Sequence, residues 1–199
     1  WTDATTAVAE ALSEDDFQVY AIGIDRTGHR FAGPAMSMGA TLINEEGNFT
    51  VDTPGFRAMA ELGNAWHEDD ITPAEVWLGA GGSYAAATDF FLNGQLVMYM
   101  SGSWQGGRFG SDIGDAFDWA VVPNPNGEGG STGVAGGSGI VALDGGGADA
   151  EAIARVMEYL IQAEVYGESS ASTLTLPAHT EVAEMGVEFD TDNPQVAAA

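Results

Sequence analysis

The residues able to do chemistry in this sequence are few, and most familiar catalytic arrangements are missing. His29, His67 and His179 lie far apart, and none falls in an H-E-x-x-H or similar metal spacing, so no zinc site is expected. The absence of cysteine removes disulfides and thiolate metal sites. The absence of lysine removes a P-loop and Schiff-base chemistry. "GGSGI" and "GGSYA" both lack the last glycine of a nucleophile elbow. "DGGGADAE" lacks the residue order of a calcium loop and offers Asp149 as a helix N-cap instead. Carboxylates are too plentiful for any pair to stand out as acid and base, and "NFT" at Asn48 reads as part of a turn rather than a used sequon.

What remains is an aromatic side chain on glycine-rich ground. "FFLNGQLVMYMSGSWQGG" runs an apolar strand, Gln95 to Met100, into Ser-Gly-Ser and then sets down Trp104 before two more glycines. A sugar ring has an apolar C–H face and a rim of hydroxyls, so it binds by stacking on a flat aromatic while polar groups hold its edge. Trp104 suits such a ring, because the strand fixes its root and Gly102 and Gly106 permit close backbone approach. Local sequence is equally compatible with Trp104 packing beneath a helix. Trp66, Trp119 and Pro123 read as core, and Trp77 as a loop residue more at home in packing than on a binding rim.

The elements that must position these residues follow from periodicity and punctuation. "TDATTAVAEALSEDD" reads as a short helix with Val8, Ala11 and Leu12 as its apolar stripe. "FQVYAIGI" reads as a buried strand, "DRTGHRFAG" as a loop, and Pro34 as the start of a helix. "TLINEEGNFTVDTP" reads as a hairpin. Thr53 and Pro54 open a helix whose buried face carries Phe56, Met59, Ala60, Leu62 and Trp66. A further helix runs from Ser83 to a stop at Gly94. "FDWAVVP" and Ser138–Leu143 read as strands, and a last helix turns Ile153, Val156, Met157, Leu160 and Ile161 inward. Strands alternating with helices predict an α/β fold.

Composition narrows the partners. The 199 residues suffice for one large domain or two modest lobes. Thirty acids against five bases give a net charge of −25, which repels nucleic-acid phosphates and anionic headgroups. That acidity has two readings: a solvated coat suited to high salt, as in halophilic proteins, or a pocket for a cationic ligand. The scatter of the acids along the chain favours the coat. No apolar run is long enough to span a membrane. The start at Trp1 and the ending "NPQVAAA" suggest a piece of a longer protein, from which any targeting signal is missing.

The order of motifs resembles the family 1 extracellular solute-binding proteins, the sugar-capturing receptors of ABC importers. "WTDATTAVAEAL" is similar to the family's segment just after the first lobe, and "FFLNGQLVMYMSGSW" to its most specific signature. "FDWAVVPNPNGEGGSTGVAGGSGIVAL", "AEAIARVMEYLIQAE" and "TLTLPAHTEV" continue the resemblance in order along nearly the whole chain. It implies a two-lobed, type II periplasmic-binding-protein-like fold, mostly the second lobe plus part of the first. Residues 1–135 would form the second lobe, 136–168 a segment of the first after a hinge crossing, and 169–199 a truncated return toward the cleft. The resemblance implies Trp104 as the stacking aromatic with Ser103 beside it. It also implies His29, Arg30 and Phe31 in a cleft-facing loop, Gly136, Gly137 and Ser138 at the hinge, and His179 where the family has an arginine. Arg30 could hold sugar hydroxyls or simply neutralise Asp25.

The implied function is capture of a sugar or oligosaccharide between two lobes and its delivery to permease subunits, without catalysis or cofactor. The implied setting is periplasmic or extracellular, with a cell-surface lipoprotein as one form. A polyamine or other small-solute receptor on the same scaffold, and a polysaccharide-active enzyme, are the alternatives.

Overall fold

The computed structural model describes residues 1–12, 19–78, 85–143, 147, 149–189 and 191. The chain divides into two compact units, one of Trp1–Ser101 with Val122–Ala135 and another of Gly102–Val121 with Gly136–Ala199.

The first unit is built on two parallel strands, β1 (Tyr20–Ile24) and β2 (Leu96–Met100), in register Tyr20 to Leu96 and Ile24 to Met100. Parallel strands need a long crossover. Here it carries α2 (Gly28–Ser37), α3 (Pro54–Glu68), α4 (Ala74–Leu78) and α5 (Ala85–Leu92), while α1 (Thr2–Leu12) precedes β1. Ile22, Ile24 and Met100 join Trp1, Ala35, Phe56, Met59 and Trp66 in one core. Two indoles extend hydrogen bonds through it. Trp1 Nε1 donates to Ser37 Oγ at 2.8 Å, and Trp66 Nε1 donates to Thr5 Oγ1 at 3.1 Å.

Several expectations hold. β1 lies within the expected strand, whose first residues fall outside those described. The hairpin is present as an antiparallel Ile43–Phe49 bridge, its turn held by Asn44 Oδ1 accepting from the Glu46 and Asn48 amides. α3 starts at Pro54 and buries Phe56, Met59 and Trp66, whereas Ala60 is exposed and Leu62 only half-buried. α5 is followed by Gly94 at φ 70°, and the expected cap Ser83 lies outside the described residues.

Other elements differ. The expected loop at "GHRFAG" is α2 itself, which starts at Gly28 and contains Pro34 rather than beginning there. Distant backbone and side-chain partners support it. The Thr132 hydroxyl donates to the Gly33 carbonyl at 2.7 Å, and the Gly129 amide donates to Ser37 O at 2.8 Å. The buried residue of α1 is Thr5, while Ala11 is exposed and Val8 and Leu12 are half-buried. Thr53 holds the N-cap position of α3 without a side-chain cap bond. Trp77 lies in α4, edge-on to His67.

The second unit holds α6 (Gln105–Asp112), α7 (Ala150–Leu160), α8 (Ala163–Thr173) and α9 (Thr180–Met185). Val182 of α9 is fully buried, Phe109 of α6 meets Trp119 edge-on at 5.8 Å, and Asp149 caps α7 by accepting from the Glu151 amide, as expected. The apolar face of α7 is not inward: the helix buries no residue, and Val156 and the following Ile161 are exposed. Residues 117–123 and 138–143 are not strands. A strand needs a neighbour to satisfy its backbone groups, and no described residue pairs with either segment. Pro123 is exposed rather than core, and Leu143 is 80% exposed. No described helix is long and apolar enough to cross a membrane.

Candidate ligand-binding surfaces

At the carboxyl ends of both strands the sequence turns polar at once, with Asp25 after β1 and Ser101 after β2. Asp25 is 0% exposed. Its carboxylate accepts from Tyr99 Oη at 2.6 Å and from Ser101 Oγ at 2.9 Å, and Arg30 Nε stands 3.4 Å away. Tyr99 Oη also lies 2.9 Å from Thr88 Oγ1 on α5. Burial pushes the Asp25 carboxyl above its usual range, against the opposing pull of Tyr99, Ser101 and Arg30. Burial, then the bond to Asp25, pushes the Tyr99 phenol up to about 12. Arg30 is buried and paired with Asp25. No motif in the sequence marked this cluster as a site. The signal was available in "IGID" and "MYMS", two apolar runs that each end on a hydrogen-bonding residue.

His29 and Phe31 do come together. They line a groove of about 820 Å³ within the first unit, with Met36, Phe49, Phe56 and Val134 among its walls. The Phe31 and Phe56 rings stack with centroids 6.3 Å apart and 14° between planes. His29 is exposed, with Nε2 3.3 Å from Thr27 Oγ1. The surface is almost wholly apolar, so it suits a ring face better than a rim of hydroxyls.

Trp104 occupies a turn in the second unit. It is 46% exposed and stands at the N-cap of α6, a helix not predicted from the sequence. The Gln105 amide donates to the Gly102 carbonyl at 3.0 Å and the Gly106 amide to Ser103 O at 3.0 Å. The indole lies against Gly102, where a Cβ would fall 2.0 Å from its Cζ3 atom. Glycine at 102 is what lets the ring rest on its own backbone. Ser103 is exposed beside it. Gly136, Gly137 and Ser138 are exposed, and nothing lies within 4 Å of a Cβ placed at either glycine. His179 precedes α9, half-buried, its ring 5.7 Å from that of Tyr166 and its Nδ1 without a hydrogen-bond partner.

The profile of the bacterial extracellular solute-binding proteins matches residues 2–198. The chain belongs to that family. Its fold is that of the two-lobed periplasmic binding proteins, as solved relatives show. The maltose/maltodextrin-binding domain MalE of Bdellovibrio bacteriovorus, bound to maltotriose, superposes with a TM-score of 0.71 at 15% identity, covering 98% of this chain and 51% of that one. The GacH receptor of Streptomyces glaucescens, solved unliganded and with acarbose, gives 0.71 at 17% identity, covering 100% and 54%. Maltose-bound MalE3 of T. maritima gives 0.71 at 16%, covering 100% and 56%. The chain thus spans about half the length of the solved structures it matches. Comparison with curated protein sequences gave no match. Family and solved relatives are binding proteins rather than enzymes.

Proposed function

We propose that this chain is part of an ABC-importer receptor that captures a sugar or oligosaccharide between two lobes and presents it to permease subunits. The half-exposed indole of Trp104, set on Gly102 at the end of a strand-fed turn, carries the reading: it offers one flat aromatic face of the size of a sugar ring. Ser103, His29, Arg30, Phe31, Gly136, Gly137, Ser138 and His179 are further contact candidates. Residues 1–135 would belong to the second lobe, 136–168 to the first, and 169–199 to the return. Binding by lobe closure needs no cofactor and no bond-making step. The family's description as extracellular supports a periplasmic or extracellular receptor, a cell-surface lipoprotein being one form, with the acidic coat suited to high salt.

The test is intrinsic fluorescence titration in high salt with maltose, maltotriose, acarbose and spermidine, beside Trp104→Ala. A saturable saccharide response that Trp104→Ala abolishes supports the reading. A response to spermidine alone keeps the fold and replaces the ligand class. A saccharide response unchanged in Trp104→Ala removes Trp104 from the site.

A further inference from the structure

Solute capture makes no use of "NFT", Asn48 to Thr50, the single Asn-x-Ser/Thr of the sequence. A role in the hairpin turn accounts for the backbone of Asn48 only. Its amide donates to Asn44 Oδ1 at 2.8 Å, and its carbonyl accepts from the Asn44 amide at 2.9 Å. The side chain that holds the turn is that of Asn44, which takes the Glu46 amide as well at 3.1 Å. The Asn48 carboxamide is exposed and has no hydrogen-bond partner among the described residues. Any residue with a backbone amide would serve the turn at position 48. Alternation along the strand puts Asn48 and Thr50 on one side and Phe49 and Val51 on the other. The groove of the first unit agrees, for Phe49 and Val51 line it and Asn48 and Thr50 do not. A group attached at Asn48 therefore leaves that groove open. Thr50 is half-buried, and its Oγ1 accepts from the Asp52 amide at 3.2 Å, which leaves the hydroxyl proton to donate. Phe49 between them is 69% exposed, so the segment can be approached from outside.

We infer that Asn48 is an N-glycosylation site, which rests on the extracellular setting of the proposed receptor and not on its sugar capture. The donor class is an oligosaccharide carried on a lipid phosphate. Asn48 Nδ2 forms a bond to the anomeric carbon, and the bond from that carbon to the phosphate oxygen breaks. The electron pair leaves with the lipid phosphate, and Nδ2 gives up one proton. Thr50 is the hydroxyl by which the transferase recognises the acceptor.

The test is mass spectrometry of the full-length receptor isolated from the cells that make it. Trypsin cuts after Arg30 and Arg57, so Asn48 falls in the peptide Phe31–Arg57, which holds no other Asn-x-Ser/Thr. In the parent that peptide is expected to carry a mass excess of whole sugar residues. The excess is expected to be lost in Asn48→Gln and Thr50→Ala and kept in Thr50→Ser, which retains the hydroxyl. Should Thr50→Ala fail to fold, Asn48→Gln and Thr50→Ser decide the matter. A peptide of unmodified mass, in receptor recovered outside the cytoplasm, overturns the inference and leaves the capture function standing. An excess that survives in Asn48→Gln overturns it too, because the sugar is then on another side chain. Recovery of the receptor from the cytoplasm alone, with the peptide unmodified, overturns the extracellular setting and the inference together.

Discussion

Two glycines in α3 should respond to alanine with opposite signs. A Cβ on Gly55 would lie 2.4 Å from the Ala40 amide nitrogen, 2.7 Å from the Ala35 carbonyl oxygen and 2.9 Å from Ala40 Cα. All three are main-chain atoms, and the first two are hydrogen-bonded to each other at 2.9 Å. The methyl group therefore has nowhere to go without breaking the turn that ends α2. Overpacking of this kind costs about 1–3 kcal/mol, and the lost backbone bond about 1 more. The gain in helix propensity, at most about 1 kcal/mol, does not offset that. Gly63, two turns on, has nothing within 4 Å of its Cβ position. Alanine there gains propensity alone, roughly 0.5–1 kcal/mol. Urea unfolding in high salt, followed by circular dichroism and tryptophan fluorescence, should lower the midpoint for Gly55→Ala and raise it for Gly63→Ala. If both move the same way, the close packing of α2 on α3 is wrong.

Ser37→Ala should destabilise by about 1–3 kcal/mol in the same assay, because it strands the buried Trp1 indole N–H. A loss under about 0.5 kcal/mol would mean that the bond contributes little. The melting temperature should climb as salt rises from about 0.1 M to about 1 M, where the Debye length falls from roughly 10 Å to 3 Å, since self-repulsion at −25 is then screened. A flat or falling curve would detach the acidic composition from stability. For pH, burial raises the folded-state affinity of Asp25 above its usual 3.8, so the folded state holds this proton more tightly than the unfolded one. That contribution is fully present below about 3.8 and is lost as pH rises through the folded value. Asp25→Asn lacks it, so the stability gap between parent and variant should be widest at low pH and narrow as pH rises. A gap that widens with pH would refute the assignment.

Local patterning made some of this fold legible. Pro54 with Phe56, Met59 and Trp66 spells the start and buried face of an amphipathic helix within fifteen residues, and Asp149 before α7 spells an N-cap. The N-terminal part of α2 was not legible. "GHRFAGP" carries two glycines and a proline, and the bonds supporting the helix come from Gly129 and Thr132, far along the chain. Ile140, Val141 and Leu143 have strand composition and are exposed, with no strand partner among the described residues, because β propensity expresses itself only against a neighbour. Trp104 was legible as an unusual tryptophan, but the helix beginning at Gln105 was hidden by "GGRFGS", a poor helix former by composition. The Asp25 cluster draws on positions 25, 30, 99 and 101, and no window of sequence holds them together.

The same charges divide into two electrostatic regimes. Five bases face thirty acids, and three of the arginines are used in exposed local pairs, Arg57 with Asp52, Arg108 with Asp112 and Arg155 with Glu151. Such pairs contribute about 0–1 kcal/mol and are screened by salt. Most acids have no cation to meet, so their effect is a collective field that mobile ions can answer. Asp25 and Arg30 are closed to solvent, and mobile ions screen them far less. The two regimes should therefore separate on titration with salt. Parent stability should rise steeply, while the difference between parent and Asp25→Asn should stay level within about 0.5 kcal/mol, as for independent contributions. A difference that collapses as salt is added would place Asp25 in the coat, with the exposed pairs rather than with the buried one.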